Sequence, residues 1–461
     1  MNIVVAGGGK VGGELVQQLS QEGHSVTVID ASSARVEDMN GQYDVMGIVG
    51  NCATLQVMQD AQVEKADLLI ATTASDEQNL LACLLARKLG AKHTIARVRD
   101  PQYVGQMEYL SEDLGLSMYV NPEYSAASEI FRLLRFPSAQ KLEVFAGGRV
   151  EIVEVTVPEG SGLAGISLRD LPKTVGGRIL ICAVQRGEEV CIPKGDFVLR
   201  DGDRISITAE PNEVTRVFKK LGLLRKKVDD VMLVGGGLIS YYLGRMLCGI
   251  GARVVIVERD ASRCRELCEL LPQATIINGD STDHELLGEV GIRGMDGVVA
   301  ITGSDEENII LGMYADSLGE ARKVVVKVNN GNLVRLGERA GLECVLSPKH
   351  ITANLILRYV RGMSNSLDSN VEALHTFCSG QVEALEFSVG TQAEGVAGIP
   401  LKDLRLRREA LLACIIRDGR AIIPGGADVI RRGDHVLVVT TAEGLNDITD
   451  ILEKTNPLSL G

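Results

Sequence analysis

The chain repeats itself once, over its whole length. Gly7-Gly8-Gly9-Lys10-Val11-Gly12 returns 228 residues later as Gly235-Gly236-Gly237-Leu238-Ile239-Ser240, and Asp30 returns as Glu258 at the same offset. Ser75-Asp76-Glu77-Gln78-Asn79 returns as Ser304-Asp305-Glu306-Glu307-Asn308 at offset 229, and Pro122 as Pro348 at 226. Ile192-Pro193 and Gly202-Asp203 return as Ile423-Pro424 and Gly433-Asp434, both at 231. Solenoid repeats run about 20 to 50 residues, so this period is a tandem duplication of domains and not a solenoid. Its function has to be explained as a pair of sites.

The 461 residues correspond to about three or four domains, and each half is long enough to bury a core. The formal net charge of −13 argues against general affinity for nucleic acid or anionic lipid, which need basic surface. The lack of Trp and the 3% of aromatic residues argue against base-stacking platforms. No stretch approaches the ~20 apolar residues that cross a bilayer. Residues 2–6 read as a first strand, not a signal peptide. A cytoplasmic chain that does not insert into the membrane is expected. The ten cysteines form no C-x-x-C pair and the six histidines are scattered. The cysteines therefore read as reduced core thiols, and no metal site is expected. His435 reads as a strand-end residue.

Short apolar runs at 2–6, 26–29, 45–49, 68–71 and 93–98 alternate with helical stretches at 14–21, 34–40, 55–61 and 79–89. The second half repeats the runs at 231–234, 254–257, 275–277, 297–301 and 324–328. Continuous apolar strands are buried on both faces, which indicates a parallel sheet. Strand–helix alternation with short connections indicates a doubly wound α/β fold. A Pro-initiated helix follows each sheet, at 122–134 and 348–360, since proline suits the first helical turn. Beyond each helix the pattern changes to β-runs at 150–157, 180–184 and 204–208, mirrored at 384–389, 411–417 and 435–440. These read as two small α+β domains. A basic, polar connector at 221–230 joins the halves.

The glycine loops follow a strand, open a helix, and are answered by an acid at the end of the next strand. In G-x-G-x-x-G the first glycine makes the turn, the second lets backbone approach a pyrophosphate, and the third allows close helix packing. Gly7, Gly8, Gly9, Lys10, Val11 and Gly12 are therefore candidate phosphate-binding residues at a helix N-terminus. Asp30 is the candidate ribose ligand, which favours NAD over NADP. Gly235, Gly236, Gly237, Leu238, Ile239, Glu258 and Arg259 form the second candidate site. There Ser240 replaces the last glycine, and Arg259 would pair with phosphate or stay solvated. Thr72, Thr73 and Ala74, and Thr302 with Gly303, would face the nucleotide from strand four. Ser75 and Ser304 read as helix caps, with the following acids suited to the helix dipole. Asn51 and Asp280 end strand three on the adenosine side. Arg97 and Lys327, near the end of strand five, would reach phosphates or form surface ion pairs. A dehydrogenase needs an acid/base over the nicotinamide, and no repeated His, Lys or Tyr constellation supplies one.

This ordered set of motifs resembles the tandem RCK-N/RCK-C regulators of potassium transport. The resemblance spans the chain and departs from the family pattern at Ser240 and at Asn51, where many members carry Asp. It implies two Rossmann-like domains at 1–121 and 228–346, crossover helices at 122–139 and 347–366, and RCK-C-like domains at 140–225 and 370–455. It further implies a nucleotide-sensing, non-catalytic gating subunit that binds NAD(H), with ATP or ADP as further ligands. The subunit would lie at the inner face of the cell membrane, docked on a Trk-type potassium channel or transporter, as a homo-oligomer of four chains. The apolar faces of the two Pro-initiated helices (Ala126, Ile130, Leu133, Leu134; Ile351, Leu355, Ile356, Tyr359) are the expected association surface. An NAD-dependent oxidoreductase is the alternative reading.

Overall fold

The computed structural model describes the chain apart from residues 137–138, 146–148, 162, 173–178, 210–217, 219–227, 320, 369–370, 379–380, 391–394, 443–444, 446 and 454–461. Most of the connector at 221–230 lies outside the described residues.

The first half opens with β1 (Asn2–Ala6), α1 (Lys10–Gln21), β2 (Ser25–Asp30), α2 (Ser33–Gln42) and β3 (Met46–Val49). It continues through α3 (Leu55–Asp60), β4 (Leu68–Ala71), α4 (Asp76–Leu89), β5 (His93–Arg97) and β6 (Met118–Val120). Every residue of β4 is buried, although successive side chains point to opposite faces. Both faces of the sheet must therefore be covered, and helices supply the cover. The strands pair in parallel in the order β3-β2-β1-β4-β5-β6, with Val4 opposite Thr27 on one side and Leu69 on the other. The order reverses between β1 and β4, and ligands of such sheets bind in the crevice at that point.

The second half places β12 (Asp230–Val234), β13 (Arg253–Glu258), β14 (Thr275–Asn278), β15 (Gly297–Ala300), β16 (Lys323–Lys327) and β17 (Val345–Leu346) in the order β14-β13-β12-β15-β16-β17. The sixth strands, β6 and β17, go beyond the sequence reading. They hold three and two residues, too few to give an apolar run. The helices Pro122–Arg135 and Pro348–Asp368 start at the anticipated prolines.

The small domains are antiparallel sheets. β7 (Lys141–Phe145), β8 (Val150–Thr156), β9 (Ile179–Arg186), β10 (Glu189–Cys191) and β11 (Arg204–Ala209) lie in the order β10-β9-β11-β8-β7. β18 (Val371–Phe377), β19 (Val382–Ser388), β20 (Ala410–Arg417), β21 (Arg420–Ile422) and β22 (His435–Thr440) repeat that topology. The repeated Gly-Asp has a structural explanation. Gly202 adopts φ 81°, and Asp203 accepts a two-pronged hydrogen bond from Arg186 at 2.8 and 2.7 Å. Asp434 and Arg417 repeat the fork at the same distances.

The compact units do not follow the duplication. One unit comprises Met1–Phe131 with Val228–Leu357, and the other Arg132–Lys227 with Arg358–Gly461. Each unit thus pairs like with like. In the second unit a single core joins Ile152, Cys182 and Ala183 to Cys378, Ala413, Cys414 and Leu437.

The expected association surface needs correction. Ala126, Ile130, Leu133 and Leu134 are buried within the single chain, as is Ile356, and Ile351, Leu355 and Tyr359 are half-buried. The apolar face of the Pro122–Arg135 helix has its cover already and carries no argument for oligomerisation, while that of the Pro348–Asp368 helix is covered in part.

Candidate functional site

β1 runs into Gly7, whose φ of 103° lies in the left-handed region, and a Cβ there would come within 2.8 Å of the backbone of Thr72 and Thr73. Only glycine suits that turn. The Gly8 amide donates to Asp30 Oδ2 at 2.7 Å. Gly9 precedes α1 with no side-chain cap, and nothing stands within 4 Å of where its Cβ would be. No side chain caps the first-turn amides of α1, and a helix N-terminus left so is a place where an anion binds. Lys10 is exposed in that first turn and Val11 is buried beneath it. A Cβ on Gly12 would lie 1.8 Å from the Gly7 carbonyl oxygen, so helix and loop touch backbone to backbone.

Asp30 ends β2 with its side chain almost wholly buried. Besides Gly8 it accepts from the Ser32 amide at 2.8 Å, and Arg35 Nη1 lies 3.4 Å away. The loop and the carboxylate thus form one assembly: an uncapped helix N-terminus beside a carboxylate held by two backbone amides.

Strand four supplies the opposite wall. Thr72 Oγ1 donates to the Gly7 carbonyl at 3.0 Å. Thr73 donates through both its amide and its hydroxyl to Asn79 Oδ1, at 2.8 and 2.7 Å. Asn79, fully buried, donates in turn to the Arg97 carbonyl at 2.9 Å. Arg97 donates its guanidinium to the Thr73 carbonyl, and burial holds its pKa below the usual value. Asn51 lies in the turn after β3, where its side-chain oxygen accepts from the Ala53 amide and from Gln78. The Ala74 carbonyl accepts from Arg99.

The sequence reading explained the Ser-Asp-Glu-x-Asn segment as a helix start. Ser75 does cap α4, accepting from the Gln78 amide at 3.1 Å. Asp76 does more: it takes the amides of Arg99 and Asp100 at 2.7 and 2.8 Å. Asp76 and Asn79 therefore brace α4 against the end of β5. The recurrence of Asn at the same register was the available signal for that brace.

The second site repeats this construction. Gly235 has φ 106°. Gly236 donates its amide to Glu258 Oε2 at 2.6 Å, and the Asp260 amide reaches Oε1 at 2.8 Å. Asn308 accepts from the Thr302 amide at 2.8 Å and donates to the Lys327 carbonyl at 3.0 Å. Lys327 donates its ammonium to the Thr302 carbonyl, and burial lowers its pKa. Gly303 has open space where a side chain would be. Asp280 accepts from the amide and hydroxyl of Thr282, and the amide bond holds its pKa low. Two features differ from the first site. Ser240 is wholly buried and donates its hydroxyl to the Gly235 carbonyl. The arginine at the loop is Arg263, whose Nε donates to the Gly236 carbonyl at 2.7 Å, whereas Arg259 is exposed. Arg263 stands 228 residues after Arg35, and that offset was the signal by which it might have been found.

Among the described residues no cluster of His, Cys, Asp and Glu is arranged to hold a metal, and no helix is long and apolar enough to cross a membrane.

The TrkA-N domain family matches residues 3–122 and 231–348, and the TrkA-C domain family matches 152–222 and 385–453. A Trk system potassium uptake protein TrkA homolog of Archaeoglobus fulgidus is 34% identical over 452 residues, covering 98% of this chain and 100% of that protein. The Trk system potassium uptake protein TrkA of Halomonas elongata is 31% identical over 446 residues, covering 95% of each. Among solved structures, the GsuK channel bound to NAD superposes with a TM-score of 0.63 at 19% identity, covering 96% of this chain and 77% of that one. GsuK bound to ADP gives 0.51 at 17% identity, covering 80% and 70%. The first two are potassium uptake proteins and GsuK is a channel. With its domains matched in tandem and its relatives matched along nearly their full length, the chain belongs to the TrkA family of Trk potassium uptake proteins.

Proposed function

We propose that this chain is a nucleotide-sensing, non-catalytic regulatory subunit of a membrane potassium uptake system. One observation carries the reading: in a chain of this family, an uncapped glycine-loop helix and a fixed carboxylate are built together, twice. Gly7 to Gly12 with Asp30 would take an adenosine dinucleotide, NAD or NADH, with ADP or ATP as competitors. Gly235 to Ile239 with Glu258 would form the second site. Thr73, Ala74, Arg97, Thr302, Gly303 and Lys327 would line the sites, and Asn51 and Asp280 would meet the adenosine side. The NAD-bound and ADP-bound relatives support this ligand class. The subunit acts from the cytoplasmic side, docked on a Trk-type membrane protein, as a homotetramer.

A ligand shifts a conformational equilibrium only by its differential affinity for the two arrangements. A coupling of about 1–3 kcal/mol gives roughly 5- to 150-fold regulation. The test is potassium flux through a reconstituted Trk-type transporter, with and without this protein, under NAD, NADH, ADP and ATP in turn. Flux that ignores the protein under every nucleotide would remove the reading.

A further inference from the structure

The two sites differ in one chemical respect at the turn that follows their third strand. In the first half β3 lies beside β2, and the Gly50 amide donates to the Asp30 carbonyl at 2.9 Å. In the second half β14 lies beside β13, and the Gly279 amide donates to the Glu258 carbonyl at 3.0 Å. Asn51 and Asp280 come next, at matched positions 229 residues apart. Each therefore stands one strand outward from the carboxylate that would hold the ribose, and both are exposed.

The two residues make the same turn with different atoms to spare. Asn51 Oδ1 accepts from the Ala53 amide at 2.9 Å. Asp280 Oδ1 accepts from the Thr282 amide at 2.8 Å and from the Thr282 hydroxyl at 2.7 Å. A backbone amide only donates, so it fixes which end of Asn51 faces the turn. The oxygen is taken, and the amino group, Nδ2, is left to donate. In Asp280 the atom left over is Oδ2, and an ionised carboxylate only accepts.

The neighbouring wall repeats the exchange. Gln78, in the first turn of α4, donates through Nε2 to Asn51 Oδ1 at 2.6 Å. Its counterpart at offset 229 is Glu307, which as a carboxylate has nothing to donate. Glu307 accepts instead from the hydroxyls of Ser281 and Thr302, the latter at 3.2 Å. Amides thus line this part of the first site, and carboxylates line it in the second.

We propose that Asn51 and Asp280 set the base preference of the two sites, and set it differently. This rests on the nucleotide-binding reading above. Asp280 accepts from the exocyclic amine of adenine and disfavours a purine that carries a carbonyl there, since two acceptors would then face each other. Asn51 donates, either to such a carbonyl or to a ring nitrogen of adenine, and so admits both bases.

The test is calorimetry on the full chain with two pairs of probes, ADP against IDP and NAD against its hypoxanthine analogue. Within each pair the exocyclic amine of the purine is replaced by a carbonyl. Glu258→Ala leaves the first site to be read, and Asp30→Ala leaves the second. In Asp30→Ala the adenine ligand should bind about 5- to 20-fold tighter than its hypoxanthine partner, the range of one hydrogen bond to a solvent-exposed carboxylate. In Glu258→Ala the two should bind alike. Asp280→Asn, added to Asp30→Ala, should abolish the preference. Asn51→Asp, added to Glu258→Ala, should create one. A residue that only shapes its turn would weaken both members of a pair equally and leave their ratio unchanged. Equal ratios at the two sites, or ratios that ignore both exchanges, overturn the proposal while the nucleotide reading stands. Where one site alone binds, its ratio and its exchange decide. If no probe binds at either site, the nucleotide reading fails and the base preference falls with it.

Discussion

Gly12 and Ser240 fill the same place in the two loops, with opposite demands on the backbone. A Cβ on Gly12 would collide with the Gly7 carbonyl oxygen at 1.8 Å, while Ser240 hydrogen-bonds the matching carbonyl of Gly235. The second loop holds a side chain where the first has room for none. Gly12→Ala is expected to destabilise the first sheet domain by about 1–3 kcal/mol, the usual penalty of overpacking, and urea unfolding measures it. An unchanged midpoint would mean that the loop relaxes freely. Asp30→Ala removes a charged acceptor that would bond the ribose, worth about 1.5–3 kcal/mol, or roughly 10- to 150-fold in nucleotide affinity. Calorimetry with NAD checks it, and equal affinity for every nucleotide would sink the assignment. Asp30, Glu258 and the glycines were legible in the sequence because each role needs one residue type at one spacing. Arg263 was legible only through its offset of 228 from Arg35, because an arginine on a helix has no fixed spacing to a loop carbonyl.

At the scale of elements, the buried asparagines do what the hydrophobic pattern cannot. Asn79 joins the end of β4 to the end of β5, and Asn308 does the same in the second half. Asn79→Ala leaves buried backbone groups unpaired and is expected to cost about 1–3 kcal/mol, read as a lowered urea midpoint. Glu14 of α1 meets Lys349 at 3.2 Å and His350 at 2.9 Å, both on the Pro348–Asp368 helix, and gives a pH signature. Its pKa falls from 4.5 to about 2 on folding. Its contribution to stability is therefore complete above pH 4.5 and is lost as pH falls from 4.5 toward 2. Chemical denaturation at pH 5 and pH 3 should show a smaller acid loss in Glu14→Gln than in the wild type; equal losses would contradict the pairing. The long strands and helices were legible from apolar runs and prolines. The short strands β6 and β17 owe their state to the neighbours they pair with, which no local pattern records.

At the scale of the whole molecule, the two copies pair domain by domain instead of standing as two beads. A fragment comprising residues 1–227 loses the half of the shared core contributed by Cys378, Ala413, Cys414 and Leu437. A second copy can replace it through a two-fold arrangement. The isolated fragment is therefore expected to run at twice its monomer mass in light scattering. A well-folded monomer would show that each half completes its own core. The Pro122–Arg135 helix was expected to be an association surface. Its apolar stripe is real, and it is buried within the chain.

By itself the sequence determined the duplication, the parallel-sheet domains, the two small α+β domains after them, and the loop–acid constellation. The duplication is written in motifs that return at offsets of 226 to 231 residues, and the rest in local pattern: continuous apolar runs, prolines at helix starts, or a glycine where only glycine fits. The tertiary structure alone decided which domain packs on which, that Asn79 and Asp76 brace rather than merely cap, and that Glu14 meets Lys349 and His350. Those are contacts between residues distant in the chain. A linear pattern records that a surface is apolar or charged, and packing decides what meets it.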